Sequence, residues 1–463
     1  MIADSFERLK EFWWQFKKDK IGVVGLLILC LSILIVIFEP FLLPFKATND
    51  SWRNIAYWLD NPTAVPPAWT NFFTSKKSAI SEHIKPDTAE AVNDKEHGNV
   101  VHYTYKYPYK YAKAPSDLVI KLLGKSGNIS FSAELDRPDG EKVFLGQFQF
   151  SNIAGQTLRV SMQNDARSSV QNHMRKYGAL AISGSAKVSE LLFSKASKNM
   201  YREKEALNGD YTVHLYVSKS FLYELEREPE LVVQGSVFGI MGTDTSRRDI
   251  FSGVIAGLKW ALFIGLVTSV VSVVLGLIYG VVCAYFGGTT DTIMQFIAEI
   301  FLSLPIMPVL IVIFATMEPS IWYIIFAIIV VGWVGPVKTI RSMAMQIREE
   351  TYVEAAKALG ASHPRIIFKH IIPILLPYSF ATMATSVPGY IVYEASLSML
   401  GLGDSTIVSW GQILQDARAA GASLNGMWWW IIPPGLAISL MGMTFAFIGF
   451  SLDKILYPKL QSR

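Results

Sequence analysis

The sequence predicts an α-helical polytopic membrane protein with six transmembrane helices and a mainly β domain inserted between helices 1 and 2. Hydrophobic residues make up 51% of the 463 residues and charged residues only 17%, which is too apolar for an ordinary soluble protein. Several uncharged runs are long enough to cross a hydrocarbon core, which takes about 20 residues of helix. Within residues 46–236, several segments instead alternate polar and apolar side chains, a pattern typical of half-buried strands.

The N-terminal segment joins an amphipathic stretch to an apolar run. Residues 1–20 can form a helix with an aromatic stripe and with lysines suited to the headgroup layer, so we expect it to lie on the cytoplasmic surface. Residues 21–38 hold no charge, and we assign 21–45 to transmembrane helix 1. A cleaved signal peptide is the alternative, but its apolar run would be too long, and Glu39-Pro40-Phe41 follows where a small-residue cleavage site is needed.

Residues 46–236 are predicted to form an extracytoplasmic, mainly β domain. Its first part resembles an interfacial collar, because Trp and Tyr prefer the membrane–water boundary. The collar residues are Trp52, Tyr57, Trp58, Trp69, Phe72 and Phe73. Strands are predicted over 128–135, 142–150, 157–162 and 211–217, and helices over 164–177 and about 190–207. Gly124-Lys125-Ser126 is similar to the end of a phosphate-binding loop, but Val119 occupies the position where such a loop needs its first glycine. We expect a structural or docking module rather than an enzyme.

Residues 237–453 are predicted to hold transmembrane helices 2–6. The apolar runs are 260–285, 292–316, 322–337, 371–402 and 427–452. Pro305 and Pro308 are expected to break the third helix, which is tolerated only where protein or water satisfies the freed carbonyls.

The distribution of basic residues predicts the orientation. With six spans, Lys17, Lys18 and Lys20, the segment 338–369 and the tail 454–463 fall on one side, whereas the stretch 402–426 offers only Arg418. We therefore expect a multi-pass protein of the cell membrane whose two termini are cytoplasmic and whose β domain lies outside.

The cytoplasmic stretch 351–377 has a distinctive local pattern. Thr351 and Glu354 have the spacing of a capping box, and Tyr352, Ala355, Ala356 and Leu359 follow on one face. Gly360 is expected to end that helix, and Ser362 with Pro364 to start another. The simplest interpretation is a capped surface helix.

The same residues resemble a known motif. Glu354-Ala355-Ala356, Gly360 and then His370-Ile371-Ile372-Pro373 are similar to the EAA loop of binding-protein-dependent ABC transporter permeases, over 351–373. His370 favours the oligopeptide and dipeptide branch, in particular its C-type subunit. Gly242-Thr243-Asp244 with Arg248-Asp249, and the segment 394–403 with Trp410-Gly411, also resemble that subunit. The resemblance fails over the inserted domain, and the prolines usual between Gly403 and Trp410 are missing.

The resemblance implies an ABC importer permease fold and a set of partners. A homologous B-type permease would complete the pathway, two ABC ATPase subunits would bind inside, and an extracytoplasmic substrate-binding protein would deliver a peptide. The ATPase-coupling residues would be Glu354, Ala355, Ala356, Leu359, Gly360, His370 and Pro373. ATP and Mg would be bound by the partner ATPases, so this chain needs no cofactor and is not an enzyme. Nickel or another small solute is an alternative substrate, and a membrane-anchored receptor or assembly protein is an alternative of another class.

Two acidic residues in predicted spans need partners or a wet cavity. Glu394 and Glu299 are candidates for the translocation path or for a polar contact between helices. The two cysteines, Cys30 and Cys283, lie in apolar runs without metal-ligand or redox spacing, and we predict no metal site. The net charge of +4 is small and scattered, so nucleic acid is not expected as a partner.

Overall fold

A computed structural model describes residues 13–45, 49–94, 97–122, 124–151, 157–178, 188–198, 205–219, 223–316 and 320–456. The chain divides into two compact units. The inserted unit is Asn54–Phe251, and the membrane unit is formed by the residues on either side of it. Most of the predicted surface helix 1–20, the outer turn at Glu318-Pro319 and most of the tail 454–463 lie outside the described residues.

The helices of the membrane unit follow the apolar runs. In chain order they are α1 (Lys20–Leu42), α2 (Asn49–Arg53), α3 (Ile250–Phe286), α4 (Gly288–Ser303), α5 (Ile306–Phe314), α6 (Ile321–Gly332), α7 (Val337–Arg348), α8 (Thr351–Ala358), α9 (His363–Ile366), α10 (Ile372–Leu397), α11 (Trp410–Ala419) and α12 (Trp428–Leu456). A π-helical turn, Ile367–Ile371, joins α9 to α10, and a second, Ser398–Leu402, ends α10.

Four stretches of the described chain are long and apolar enough to cross a membrane. They are α1, α3, the composite helix His363–Leu402 and α12. Two bent pairs pass the same test, α4 with α5 at 76° and α6 with α7 at 50°, so the count is four, or up to six if each pair is one span. The α4–α5 break falls at Pro305, as predicted. The prediction for Pro308 was wrong, because Pro308 lies in the first turn of α5, where its missing amide hydrogen is tolerated.

The inserted unit is mainly β. Its strands are β1 (Glu82–Ile84), β2 (Thr88–Asp94), β3 (Gly98–Tyr109), β4 (Asp117–Lys121), β5 (Gly124–Gly127), β6 (Ile129–Asp136), β7 (Lys142–Phe150), β8 (Thr157–Arg159), β9 (Gly209–Ser218), β10 (Tyr223–Leu225) and β11 (Glu230–Gln234). They form antiparallel sheets in the orders β2-β3-β9-β6-β7, β1-β11-β4-β8 and β10-β5.

One hydrophobic core is shared by the two larger sheets. Tyr105, Phe131 and Leu215 come from the five-stranded sheet, and Ile120 and Val233 from the four-stranded sheet. The pattern holds because alternate residues of each strand face inward, as along Gly209–Ser218, where every second residue from Tyr211 is buried.

Two helices cover this core, and one predicted helix is shorter than expected. Asn164–Lys176 is helical, as predicted. Of the second predicted helix the described residues form Val188–Leu192, after which Ser194 makes an antiparallel bridge to Ala206; residues 199–204 lie outside the described residues. The predicted strand 157–162 likewise ends at Arg159 and continues as the 3-10 turn Val160–Met162.

Two of the predicted collar tryptophans are buried rather than interfacial. Trp52 in α2 packs against Gly253 of α3, where a β-carbon would come within 2.3 Å of the indole. Trp58 is buried within the inserted unit. The exposed members of the collar are Tyr57, Trp69, Phe72 and Phe73.

The chain enters and leaves the sheets at one narrow neck. The Ser236 amide donates to the Ala79 carbonyl at 2.8 Å, and Ile80 bridges Val237. Gly235 fills the tightest point, since a β-carbon there would lie 2.5 Å from the Ser81 backbone nitrogen and 2.6 Å from the Ala79 oxygen. The two ends of the segment 80–235 therefore lie side by side.

Candidate functional site

The loop that was predicted as a helix, a glycine break and a second helix has that form. Helix α8 ends in a Schellman motif: Gly360 has φ +81°, its amide donates to Lys357, and the Ala361 amide donates to Ala356, both at 3.0 Å. Only glycine adopts this backbone conformation without a steric cost. Ser362 then occupies the N-cap position of α9, with Pro364 in its first turn.

The predicted capping box does not form. Glu350 is the N-cap residue and Thr351 is already helical, so the threonine hydroxyl is one position too late to cap. The Glu350 carbonyl instead accepts the Val353 amide at 2.9 Å and the Glu354 amide at 3.2 Å. Glu354 lies exposed in the first turn, where a carboxylate interacts favourably with the helix dipole. Its side chain is thus available for a role other than capping.

Helix α8 turns its predicted apolar face outward. The residue that packs inward is Val353, which is fully buried in a cluster with Val281, Ile340, Ile367 and Ile371. Leu359 at the end of the helix is 87% exposed, and Ala355 is exposed as well. A leucine held outward by an ordered glycine cap is a feature of a contact surface rather than of a hydrophobic core.

Polar contacts fix the loop to the end of α3. The Tyr285 hydroxyl is hydrogen-bonded to His363 Nδ1 at 2.7 Å, and the Lys357 ammonium lies 5.5 Å from the centre of the Tyr285 ring. The sequence pattern does not indicate these contacts, because no motif spacing links Tyr285 of α3 to His363, 78 residues later. Lys357 and Val353 were likewise not predicted as part of the site.

His370 and Pro373 lie where the loop passes into α10. The Tyr352 hydroxyl donates to the His370 carbonyl at 3.5 Å, and the two rings lie 6.5 Å apart. Burial, and then the Glu350 carboxylate, raise the pKa of Tyr352, so the phenol stays neutral at physiological pH. Pro373 has no amide hydrogen for the Lys369 carbonyl, which agrees with the π-helical turn that precedes it.

Glu394 forms a joint between α10 and α11. Its Oε1 accepts hydrogen bonds from Ser398 Oγ at 2.7 Å and from Ser409 Oγ at 2.8 Å, and the carboxyl is buried. Ser409 also caps α11 by accepting the Gln412 amide at 3.2 Å. Gly411 permits the close approach, since a β-carbon there would lie 2.7 Å from Ala395 Cα.

Glu299 has different surroundings. It is exposed on α4 and pairs with Lys338 of α7 at 3.4 Å, with both side chains more than half exposed. Asp291 makes a bidentate pair with Arg341 between the same two helices, at 2.6 and 2.5 Å. Glu299 and Glu394 therefore have separate partners, and the described residues do not bring them into one site. No group of three or more His, Cys, Asp or Glu among those residues could hold a metal ion.

The sequence of the membrane unit defines a class of protein, a helical inner-membrane component of a transport system. Residues 272–462 match the sequence model of the binding-protein-dependent transport system inner membrane component, and residues 7–62 match that of the N-terminal TM domain of oligopeptide transport permease C. The chain belongs to this family of ABC permeases and, within it, is similar to the OppC and DppC proteins. It is a transport component rather than an enzyme. Neither match reaches residues 63–271, which contain all the strands that the described residues form.

Individual relatives agree with this assignment. The dipeptide transport system permease protein DppC of Bacillus subtilis is 37% identical over 221 residues, 48% of this chain and 68% of that protein. The oligopeptide transport system permease protein OppC of the same organism is 34% identical over 48% of this chain and 72% of its own length. A chain of the solved methionine ABC transporter MetNI aligns at 19% identity over 44% of this chain and 95% of that chain, with a TM-score of 0.34.

Proposed function

We propose that this chain is the permease subunit of an ATP-driven peptide importer and that it couples to ATPases through the loop 351–373. The relatives' names support peptides over nickel or another small solute. The observation that carries the coupling role is the geometry of α8, in which Leu359 is exposed next to a glycine cap, while Val353 and Lys357 hold the same helix against α3.

The partners follow from this role. Two ATPase subunits bind ATP and Mg and contact Glu354, Ala355, Ala356 and Leu359 from the cytoplasm. A homologous B-type permease forms the other half of the pathway, and a binding protein delivers peptide outside. Closure of the ATPase dimer moves α8, and Val353, Ile367 and Ile371 pass the movement to α3 and α10, since they share one packed cluster. Glu394 acts as an interhelical polar contact, which leaves Glu299 as the candidate for the path.

A pair of matched leucines tests the coupling role. Leu359→Asp should lower peptide-stimulated ATP hydrolysis and transport at least tenfold, because a carboxylate replaces an apolar contact at the ATPase interface. Leu424→Asp is the control, since Leu424 is 93% exposed in the loop between α11 and α12, on the predicted outer side. Glu354→Ala and Glu354→Gln should both impair transport, because both remove a carboxylate that is proposed to contact the ATPase. Loss of a helix cap would not explain the effect, since the Glu354 side chain does not cap α8. Transport at the wild-type rate in both Leu359→Asp and Glu354→Ala would refute the coupling assignment.

We further propose that the inserted unit helps to seat the substrate-binding protein on the outer side. Its strands share one hydrophobic core, and its C-terminal connection leads directly into the membrane helix α3. An encounter surface of this kind should show a salt-dependent association rate.

The neck gives a clean way to remove the sheets. Residues 80–235 can be excised and Ala79 joined to Ser236 by a short Gly/Ser linker, because those two residues are already hydrogen-bonded at 2.8 Å. The shortened chain should assemble and keep basal ATP hydrolysis yet lose most of its stimulation by loaded binding protein. Full stimulation would show that the sheets do not dock the partner.

A further inference from the structure

One loop of the inserted unit exposes large aromatic side chains. Phe72 and Phe73 are 87% and 84% exposed, and Lys76 and Lys77 follow them, also exposed. Together with Trp69 and Ile240, at 40% and 56% exposure, the phenylalanines form what we call the aromatic patch. A water-facing surface rarely presents such a set of large side chains, because each exposed ring forgoes the stabilisation that burial would give.

The exposure does not result from a loose loop. The Asn71 side chain closes the loop at its base, donating to the Ser78 carbonyl at 3.0 Å and accepting the Ser78 amide at 2.9 Å. The Lys77 carbonyl accepts the Ala112 and Lys113 amides at 2.9 and 3.2 Å. The rings are thus held outward by an ordered backbone.

The base of the aromatic patch is bonded to the turn from which α3 begins. The Trp69 indole donates to the Ile240 carbonyl at 2.8 Å, and the Trp69 and Phe73 rings meet edge to face at 6.0 Å. Two residues beyond Ile240, the Gly242 carbonyl accepts the amide of Ile250, the first residue of α3. The aromatic patch therefore lies near the start of a candidate membrane span.

The charges along α3 place its start outside the hydrocarbon core. Lys259 pairs with Glu39 near the end of α1, and the uncharged run of α3 begins only at Trp260, so this pair marks the outer edge of the hydrocarbon core. The preceding residues 250–259 rise about 15 Å beyond that edge at ~1.5 Å per residue, whereas one headgroup layer is about 5–7 Å thick. The helix therefore begins at the outer surface of the headgroup layer. This step rests on the orientation of the proposed function.

We propose that the aromatic patch inserts into the headgroup region of the outer leaflet, with Lys76 and Lys77 on lipid phosphates. Aromatic side chains are suited to the membrane–water interface, and paired lysines complement anionic headgroups. The partner is a lipid surface, and the contact anchors the inserted unit to the membrane.

Spin labels in the assembled transporter test this. The transporter is placed in nanodiscs containing phosphatidylethanolamine and phosphatidylglycerol, in a Cys30→Ser, Cys283→Ala background. Spin labels are attached to Phe72→Cys and to Phe73→Cys, one variant at a time. For each label, the collision rate with oxygen is compared with the collision rate with a water-soluble nickel chelate. Ser126→Cys, exposed on β5, is the aqueous control. The labels at 72 and 73 should favour oxygen several-fold over the control, and Lys76→Gln with Lys77→Gln should reduce that ratio.

Two results would overturn the proposal. Equal ratios at 73 and 126 would mean that the aromatic patch faces water, and shielding from both reagents would mean that a protein partner covers it. The readout needs neither ATP nor peptide, so its failure is separate from a failure of the coupling role, which the Leu359→Asp comparison measures.

Discussion

The two units differ in the side chains that they bury and expose. The core of the inserted unit consists of large apolar and aromatic residues, such as Tyr105, Phe131 and Leu215. The membrane unit also buries apolar clusters, such as the one around Val353, but it exposes many other large apolar residues and buries small polar ones, among them Ser269, Ser379 and Thr444. Glycines let its helices meet, as Gly25 of α1 does against Phe447 and Thr444 of α12.

This difference follows from the solvent. In water, removing apolar surface drives the packing of the sheets. Lipid tails are as apolar as leucine, so helices in a bilayer associate through close contact of small residues and through hydrogen bonds. Hydropathy therefore locates both units, but only in the inserted unit does it also identify the packed face.

The largest effect is expected where the inserted unit buries a charge. Arg137 donates to the carbonyls of Leu191, Leu192 and Ser194 and pairs with Asp139 at 2.9 Å. Arg137→Met should destabilise this unit by about 3 kcal/mol or more, since it leaves buried carbonyls unpaired. Hydrogen exchange of the β6 amides measures this loss of stability. Lys125→Met, which removes an exposed ion pair with Glu224, should lower the stability of the same unit by about 0.5 kcal/mol or less. Equal losses in the two variants would contradict the role assigned to Arg137.

A smaller effect is expected where the membrane unit relies on glycine. Gly25→Ala would place a β-carbon 2.9 Å from Phe447 Cβ and from the Thr444 carbonyl, so the α1–α12 contact should lose about 1–3 kcal/mol. Gly435→Ala in α12 meets nothing within 4 Å and should be neutral or stabilising. Thermal unfolding of the detergent-solubilised transporter compares them. A stable Gly25→Ala protein would mean that α1 does not depend on this close approach.

The smallest effect is expected at the Glu394 joint. Glu394→Leu removes the acceptor for Ser398 and Ser409 and should cost about 1 kcal/mol, as hydrogen bonds between helices in membranes are modest. Glu394→Gln keeps an acceptor oxygen and should transport at nearly the wild-type rate. If Glu394→Gln abolishes transport while thermal stability is unchanged, the carboxylate contacts substrate and the structural role is wrong.

Local signals were predicted best from the sequence. Gly360 ends α8 as expected, because a helix terminus depends on a few neighbouring residues, and Pro305 breaks the α4–α5 pair for the same reason. The strand over 142–150 is likewise predicted by the alternation of polar and apolar residues within that segment. Thr351 failed as a cap because helix starts shift easily by one residue when several residues can occupy the N-cap.

Long-range contacts were beyond the sequence patterns. The contact between Tyr285 and His363 and the joint between Glu394 and Ser409 depend on how distant segments pack. Trp52 and Trp58 were predicted at the interface from composition, but Gly253 gives Trp52 a buried site that composition does not reveal. In the described part of the helix predicted over about 190–207, the helix stops at Leu192, because Ser194 pairs with the distant Ala206, a contact that local periodicity does not reveal.

The neck at Ala79 and Ser236 makes the inserted unit a cassette. Because its two ends are hydrogen-bonded neighbours, 156 residues between them occupy the place of a short loop in the connection from α1 to α3. Domain insertion is tolerated at such sites because the host chain keeps its geometry. The same pair of residues offers a place to graft another folded domain with adjacent termini, such as a fluorescent reporter, onto an ABC permease without altering its helices.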